Sequence, residues 1–362
     1  MNLHVMDQDL NLVGVIDSYS SLRWVRRWVE PGEFELHLDF RSSGAYLIRV
    51  GYFIFKSEDQ EVMKMESIEI KDAKMTIKGH SVAAFTTDRI TIPEFAYVDT
   101  HFLKGSTEHI LKKLVEHNCV YPHDPKRKIP NLILAPNLDR GIQDSYSTRY
   151  KPLHEELKTI AELGGLGWDI YLDHDQKKLV FDVREGVDRS AEQSINPRAI
   201  FSVDFENLAS RGMNISTVGE KTVAFVGGQG EGKDRKIIIL DDHLSGLERK
   251  EMFVDARDVG ESEEIKPEDV EKLLVNRGRE RLKENARING IECRVRSKAN
   301  IIYRQDYDLG DIVTVINPDW GIKLTAPITE AEEVYEGESI TLDLTFGTPP
   351  PTLKKQIKRE MR

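Results

Sequence analysis

Through the first ninety residues apolar and polar positions alternate with period two in short runs bounded by turn residues, the pattern of strands with one wet face. Phe34, Leu36, Leu38 and Phe40 interleave with Glu35, His37 and Asp39. Two apolar runs, 3–6 and 12–16, flank Asp7-Gln8-Asp9 and read as a hairpin; the run 22–29 carries Trp24 and Trp28 just ahead of the turn Glu30-Pro31-Gly32-Glu33. The two tryptophans stand four apart in an extended stretch, which places them on one face as core or interface packing. Runs 52–55, 63–70 and 75–77 continue the meander, and a small antiparallel barrel or sandwich is expected.

Near residue 100 the period lengthens. Ile110, Leu111, Leu114 and Val115 share a helical face behind the cap region Ser106-Thr107-Glu108, predicting a helix over 107–117. Pro122, Pro125, Pro130 and Pro136 make 121–137 an extended connection. Leu153, Leu157, Ile160 and Leu163 predict a second helix over 153–163, stopped by Gly164-Gly165, and the runs 168–172 and 178–181 form a hairpin. Strand patterning returns at 200–205, 213–218, 223–226 and 237–240. Pro267-Glu268-Asp269 then opens a long helix over 267–287 with Val270, Leu273, Leu274, Leu282 and Ala286 inward. The last third is β again, ending in the clean alternation 340–346.

These patterns divide the chain into a first β-barrel domain (1–92), an α+β insert (93–199), strands returning to the first barrel (200–240), a helix with a second β-barrel domain (241–348) and a basic C-terminal arm (349–362). The fold class expected is α+β, mainly β: two small antiparallel β-barrel-type domains with an α+β insert and one long helix.

Charge narrows the function classes. With 51 Lys+Arg against 62 Asp+Glu the formal net charge is -11, so no overall electrostatic footprint for phosphate backbones exists, and stable nucleic-acid binding is not expected. No uncharged stretch exceeds ten residues, and one of that length, 129–138, holds two prolines, which predicts no transmembrane segment. The N-terminal residues 1–7 lack the basic, apolar and small-residue regions of a secretory signal, so synthesis in a cytoplasm is expected. Cys119 and Cys293 cannot make a disulfide framework and read as buried thiols.

Candidate chemistry is sparse. Gly227-Gly228-Gln229-Gly230-Glu231-Gly232-Lys233-Asp234 matches a phosphate-cradling loop until Asp234, which stands where a magnesium-binding hydroxyl belongs. The run 235–240 after it is a strand, whereas phosphate binding needs a helix N-terminus, so a glycine-rich hairpin loop is expected. His109 and His117 lie two turns apart rather than four residues, and with His101 and His123 they make no zinc-hydrolase motif; His154-Glu155-Glu156 reads as a solvated helix start. The carboxylates are too many for sequence to choose an acid–base pair, and no nucleophile elbow or catalytic cysteine signature occurs. No catalytic, cofactor-binding or metal-binding residue is assigned, and no cofactor is expected.

Four stretches together resemble the siphophage tail-associated and baseplate hub proteins. They are Trp24-Val25-Arg26-Arg27-Trp28 running into Glu30-Pro31-Gly32-Glu33-Phe34-Glu35-Leu36; 65–70 followed by Met75-Thr76-Ile77-Lys78-Gly79-His80-Ser81; the glycine–acid loop 227–235; and Asp306-Tyr307-Asp308-Leu309-Gly310-Asp311-Ile312-Val313 with 328–335 and 344–347. The resemblance runs in order along nearly the whole chain. It implies a structural, non-enzymatic hub of a phage tail tip, baseplate or related contractile injection particle. In such a hub three copies form a ring that joins the tail tube to the tip, fibre or spike apparatus and lines the channel for DNA or tape-measure passage. Implied partners are two further copies, a distal tail or tail-tube protein, a tape-measure protein, and a spike or receptor-binding fibre protein; the implied location is the virion tail. Larger members carry a C-terminal lysin or fibre-binding region, whereas this sequence continues only to residue 362, so wall-degrading activity is not expected. The alternative is a tail-associated cell-wall hydrolase, cleaving glycan or peptide bonds with carboxylates in the insert during host penetration.

Overall fold

The computed structural model describes residues 1–348 apart from 58, 94–99, 242, 263–264 and 297–298, so the arm 349–362 lies outside the described residues. Its first seven strands are β1 (Leu3–Met6), β2 (Leu12–Ile16), β3 (Ser21–Arg27), β4 (Glu33–Asp39), β5 (Phe53–Lys56), β6 (Met63–Lys71) and β7 (Lys74–Ser81). The β1–β2 turn closes because the Asp7 carboxylate accepts the N–H groups of Asp9 and Asn11, both at 2.9 Å. On β4 the alternation holds for Phe34, Leu36 and Leu38, which are buried. Phe40 departs from it: the strand stops at Asp39, whose Oδ1 accepts the Arg41 N–H at 2.7 Å, and the ring is left exposed.

The insert comprises β8 (His101–Ser106), α1 (Thr107–Val115), β9 (Leu132–Leu134), β10 (Gln143–Thr148), α2 (Leu153–Leu163), β11 (Leu166–Asp173) and β12 (Lys178–Glu185). Ser106 caps α1 by accepting the His109 N–H at 3.1 Å, and the helix runs on into a π turn over Glu116–Val120. The proline-rich connection is not wholly extended. A 3₁₀ turn at Pro125–Arg127, where the Asp124 carboxylate accepts the Lys126 N–H at 3.0 Å, interrupts it, and its extended part includes the short β9, which pairs parallel to β12. The expected hairpin of β11 and β12 is present.

The remaining elements are β13 (Ile200–Ser202), β14 (Leu208–Ser216), β15 (Val223–Gly227), β16 (Ile237–Asp241), β17 (Glu251–Asp255), α3 (Pro267–Glu284), β18 (Ile288–Val295), β19 (Ile312–Asn317), β20 (Ile322–Glu336) and β21 (Ser339–Gly347). Helix α3 buries Val270, Leu273 and Leu274 as its spacing requires; it ends at Glu284, so Ala286 is outside the helix and exposed. The mainly-β α+β class holds, but the sheets do not close into barrels. One 13-stranded sheet runs β14-β18-β21-β20-β3-β4-β7-β6-β5-β1-β2, with β19 branching from β20 and β13 from β19. Closure would need the outer strands of each unit to pair with one another. Instead β3 gives its second edge to β20, from Arg27↔Glu330 to Ser21↔Glu336, which joins the two units and leaves β2 and β14 as the ends. For the same reason β13 and β14, expected to rejoin the first strands, pair with β19 and β18.

Four apolar cores result: one under β1–β7, one in the insert, one among β13, β14 and β18–β21, and one between α3 and the β15–β17 sheet. The two tryptophans expected on one face enter different cores. Trp24 packs with Phe34 in the first; β3 ends at Arg27, and Trp28 passes into the C-terminal core. There the Trp28 ring is held between two glycines, since an added Cβ at Gly167 on β11 or at Gly310 would lie 2.4 Å from it. Gly310 also has φ +86°. Gly310→Ala should therefore cost about 2–4 kcal/mol, read as a lowered urea midpoint, because it adds backbone strain to a steric clash.

Candidate functional site at the joint between the cores

Trp24 and Arg26 point to the same side of β3, which carries a guanidinium inside beside an aromatic ring. A buried charge persists only with partners. Arg26 Nη1 donates to the Tyr303 hydroxyl at 2.8 Å and to Asp308 Oδ1 at 3.2 Å, and its Nε lies 3.3 Å from Glu61 Oε2. Glu61 also accepts from Trp24 Nε1 at 2.8 Å, and its backbone bridges to Tyr171 on β11. One ion pair thus touches the N-terminal strands, the insert and the C-terminal segment.

A second layer surrounds it. Lys56 on β5 is buried, donates to Glu333 on β20, lies 3.5 Å from Asp59, and has its ammonium 5.2 Å from the centre of the Trp24 ring. Arg304 grips Asp59 with two bonds, at 2.8 and 3.1 Å, and the Tyr335 hydroxyl donates to Glu333. Burial raises the pKa of Asp59, but the Arg304 hydrogen bonds and the Lys56 charge outweigh it and hold the carboxyl far below its usual range. Glu61 goes the other way: burial pushes it up to about 7, with Arg26 opposing and Asp169 and Asp59 reinforcing. What this arrangement does chemically is hold three chain segments in one register; it carries no nucleophile paired with a base.

The sequence reading left this joint out. Its signal was Arg26 at an even spacing between Trp24 and Trp28, a charge on an inward face. The glycine loop is the expected β15–β16 hairpin, with positive φ at Gly230 and Gly232 and a 3₁₀ turn at Gly232–Asp234 in place of a helix N-terminus. Arg235 fills the space beside it, donating to the carbonyls of Gly227 and Gly228 at 2.8 and 3.0 Å and to Asp255 at 2.6 Å.

His101 and His117 come together, sharing a 2.9 Å hydrogen bond between His117 Nδ1 and His101 Nε2; burial and then His117 lower the His101 pKa to about 4. His109 is on α1 and His123 is in the connection before the 3₁₀ turn. His154 and Glu156 are buried rather than solvated, because α2 turns that face to the core: His154 lies edge-on to Trp168, and Glu156 pairs with Lys151 at 3.3 Å. Cys119 and Cys293 are both buried free thiols, and burial pushes the Cys119 thiol up to about 12.

One open 13-stranded β-sheet, an α+β insert and a buried ion-pair network at their joint make up the fold. The chain belongs to the Siphovirus ReqiPepy6 Gp37-like protein family, whose pattern matches residues 2–348. No curated protein matches it. Among solved structures it is similar in fold to a tail protein from Neisseria meningitidis MC58 (13% identity, 95% of each chain, TM-score 0.57). It is likewise similar to the 43 kDa tail protein of prophage MuSo2 from Shewanella oneidensis (12% identity, 96% of this chain and 99% of that one, TM-score 0.58). Prophage tail protein gp18 from Listeria monocytogenes EGD-e matches over 100% of this chain and 97% of its own, at 13% identity and TM-score 0.56.

Two outcomes test the joint. Arg26→Met should destabilise by about 1–3 kcal/mol in urea unfolding, since it leaves the Tyr303 hydroxyl and the buried Glu61 carboxyl without the guanidinium. Glu61 keeps its proton in the folded chain at pH values where the unfolded carboxyl has lost it, so its contribution weakens as pH rises from the ordinary glutamate value toward 7. Glu61→Gln removes that titration. Urea midpoints at pH 5, 6 and 7 should show the unsubstituted chain gaining stability relative to the variant as pH falls.

Proposed function

We propose that this protein is a structural, non-enzymatic hub of a phage tail tip or baseplate, acting as a ring of three copies. The ring joins the tail tube to the tip, fibre or spike apparatus, and lines the channel for DNA or a tape-measure protein. The observation that carries this reading is the open main sheet. Its end strands β2 and β14 each lack a partner on one side among the described residues, and both expose apolar side chains: Leu12, Val13 and Val15 on β2, Met213 and Ile215 on β14. Unpaired apolar edges invite intermolecular pairing, and head-to-tail contact of one copy's β2 with the next copy's β14 forms a ring when the rotation between copies divides a full turn.

Membership of a siphovirus tail family and a fold shared with phage tail proteins along the whole chain support the same reading. In this proposal the units 1–92 and 241–348, with the strands of 200–240, form the ring. The insert 93–199 and the arm 349–362 meet neighbouring tail proteins. A net charge of -11 per chain suits a channel wall that does not hold phosphates. The protein resides in the virion tail after synthesis in the host cytoplasm.

Native mass spectrometry and sedimentation test the proposal. The expected species is a trimer, alone or with the adjoining tail proteins. Val13→Glu combined with Val15→Glu should shift it to monomer by tenfold or more while leaving the far-ultraviolet circular dichroism unchanged. A chain that remains monomeric with its tail partners present counts against the hub.

A further inference from the structure

The β16–β15–β17 sheet is covered on one face by α3, which buries Ala224, Val226 and Val254, and is open on the other. Register places Ile239, Phe225 and Phe253 side by side across the three strands, with Ile237 next along β16. Ile239 is 52% and Phe253 57% exposed, an apolar row on a small sheet whose outer strands, among the described residues, pair only with β15. At the β17 edge of this face a groove of ≈ 770 Å³ lies between Phe253, Val218 and Lys221 on one side and Arg281 and Asn285 at the C-terminal end of α3 on the other. The surrounding stretch 241–269 holds eleven acidic residues against four basic ones.

We propose that residues 352–362 of the same chain dock on this open face. Position, length and chemistry each point to that occupant. The Thr348 N–H donates to the Asn289 carbonyl at 3.1 Å, beside the Ser216↔Ile288 pair, and the Lys221 N–H donates to the Asn285 carbonyl at 2.9 Å. The chain therefore leaves the main sheet at the end where β15 begins. The Pro349-Pro350-Pro351 sequence favours an extended spacer of about 3.1 Å per residue, which reaches past one strand width of about 4.8 Å. Beyond it, Leu353, Ile357 and Met361 recur every four residues, a spacing that lines one helical face, and the segment carries five basic residues and one acid. Those three side chains match the row of Ile239, Phe225 and Phe253, and the five bases match the net acidity of 241–269, part of which is already paired with Arg235, Arg249 and Arg277. The inference goes beyond the hub reading and does not depend on it.

Trypsin reads the docking directly, because its cleavage sites, Lys354, Lys355, Lys358 and Arg359, lie within the segment. Intact-mass kinetics on the full chain should show tail cleavage at least tenfold slower than in Ile239→Asp or in Ile357→Asp, both verified as folded by circular dichroism. The protection should be independent of protein concentration and should weaken in 0.5 M salt as screening requires, about 4 Å being the Debye length there. Equal cleavage rates in all three chains overturn the proposal. Protection that rises with protein concentration overturns it too, and assigns the face to the tail of a second copy.

Discussion

A guanidinium with almost no access to water is the constraint around which this protein is arranged. Arg26 sits on β3, the strand that pairs on one side with the N-terminal β4 and on the other with the C-terminal β20. Its partners come from every direction: Glu61 from the connection before β6, Tyr303 and Asp308 from the segment before β19, and, at longer range, Asp169 from β11. Removing any unit leaves a buried charge short of a partner, at a cost larger than most single contacts provide. The network therefore sets which surfaces meet, while the apolar cores on either side supply the driving force.

The same region explains why the insert is held firmly. Trp28 fills the space between Gly167 of the insert and Gly310 of the C-terminal segment, and its carbonyl accepts the Trp168 N–H at 3.3 Å. Leu172 N–H donates to the Gln60 carbonyl at 2.8 Å close by. A wedge of aromatic packing and a polar clamp act within a few residues of one another. A joint fixed by both shape and charge is directional, which apolar packing alone is not.

Much of this molecule was legible in its sequence. Period-two runs located the N-terminal strands, period-3.6 runs located α1, α2 and α3, and the apolar run after the glycine loop located β16, because these signals are local and depend on which side of an element faces water. The failures were local too. Phe40 and Ala286 continued a pattern past the point where a turn or a helix end had already broken it, and His154 and Glu156 looked solvated only because composition does not say which face of α2 meets a core.

What the tertiary structure alone decided is closure and company. Whether a meander seals into a barrel depends on which distant strand takes its last edge; here β20, some three hundred residues from β3, took it and left one open sheet in place of two barrels. The Arg26 network likewise joins residues remote in the chain, and no local periodicity encodes a pairing between a strand and two distant loops. The elements of this protein follow from the alternation of apolar and polar side chains along the chain. Their arrangement follows from long-range edges and buried charges, which acquire their energies only once the chain has brought them together and expelled the water between them.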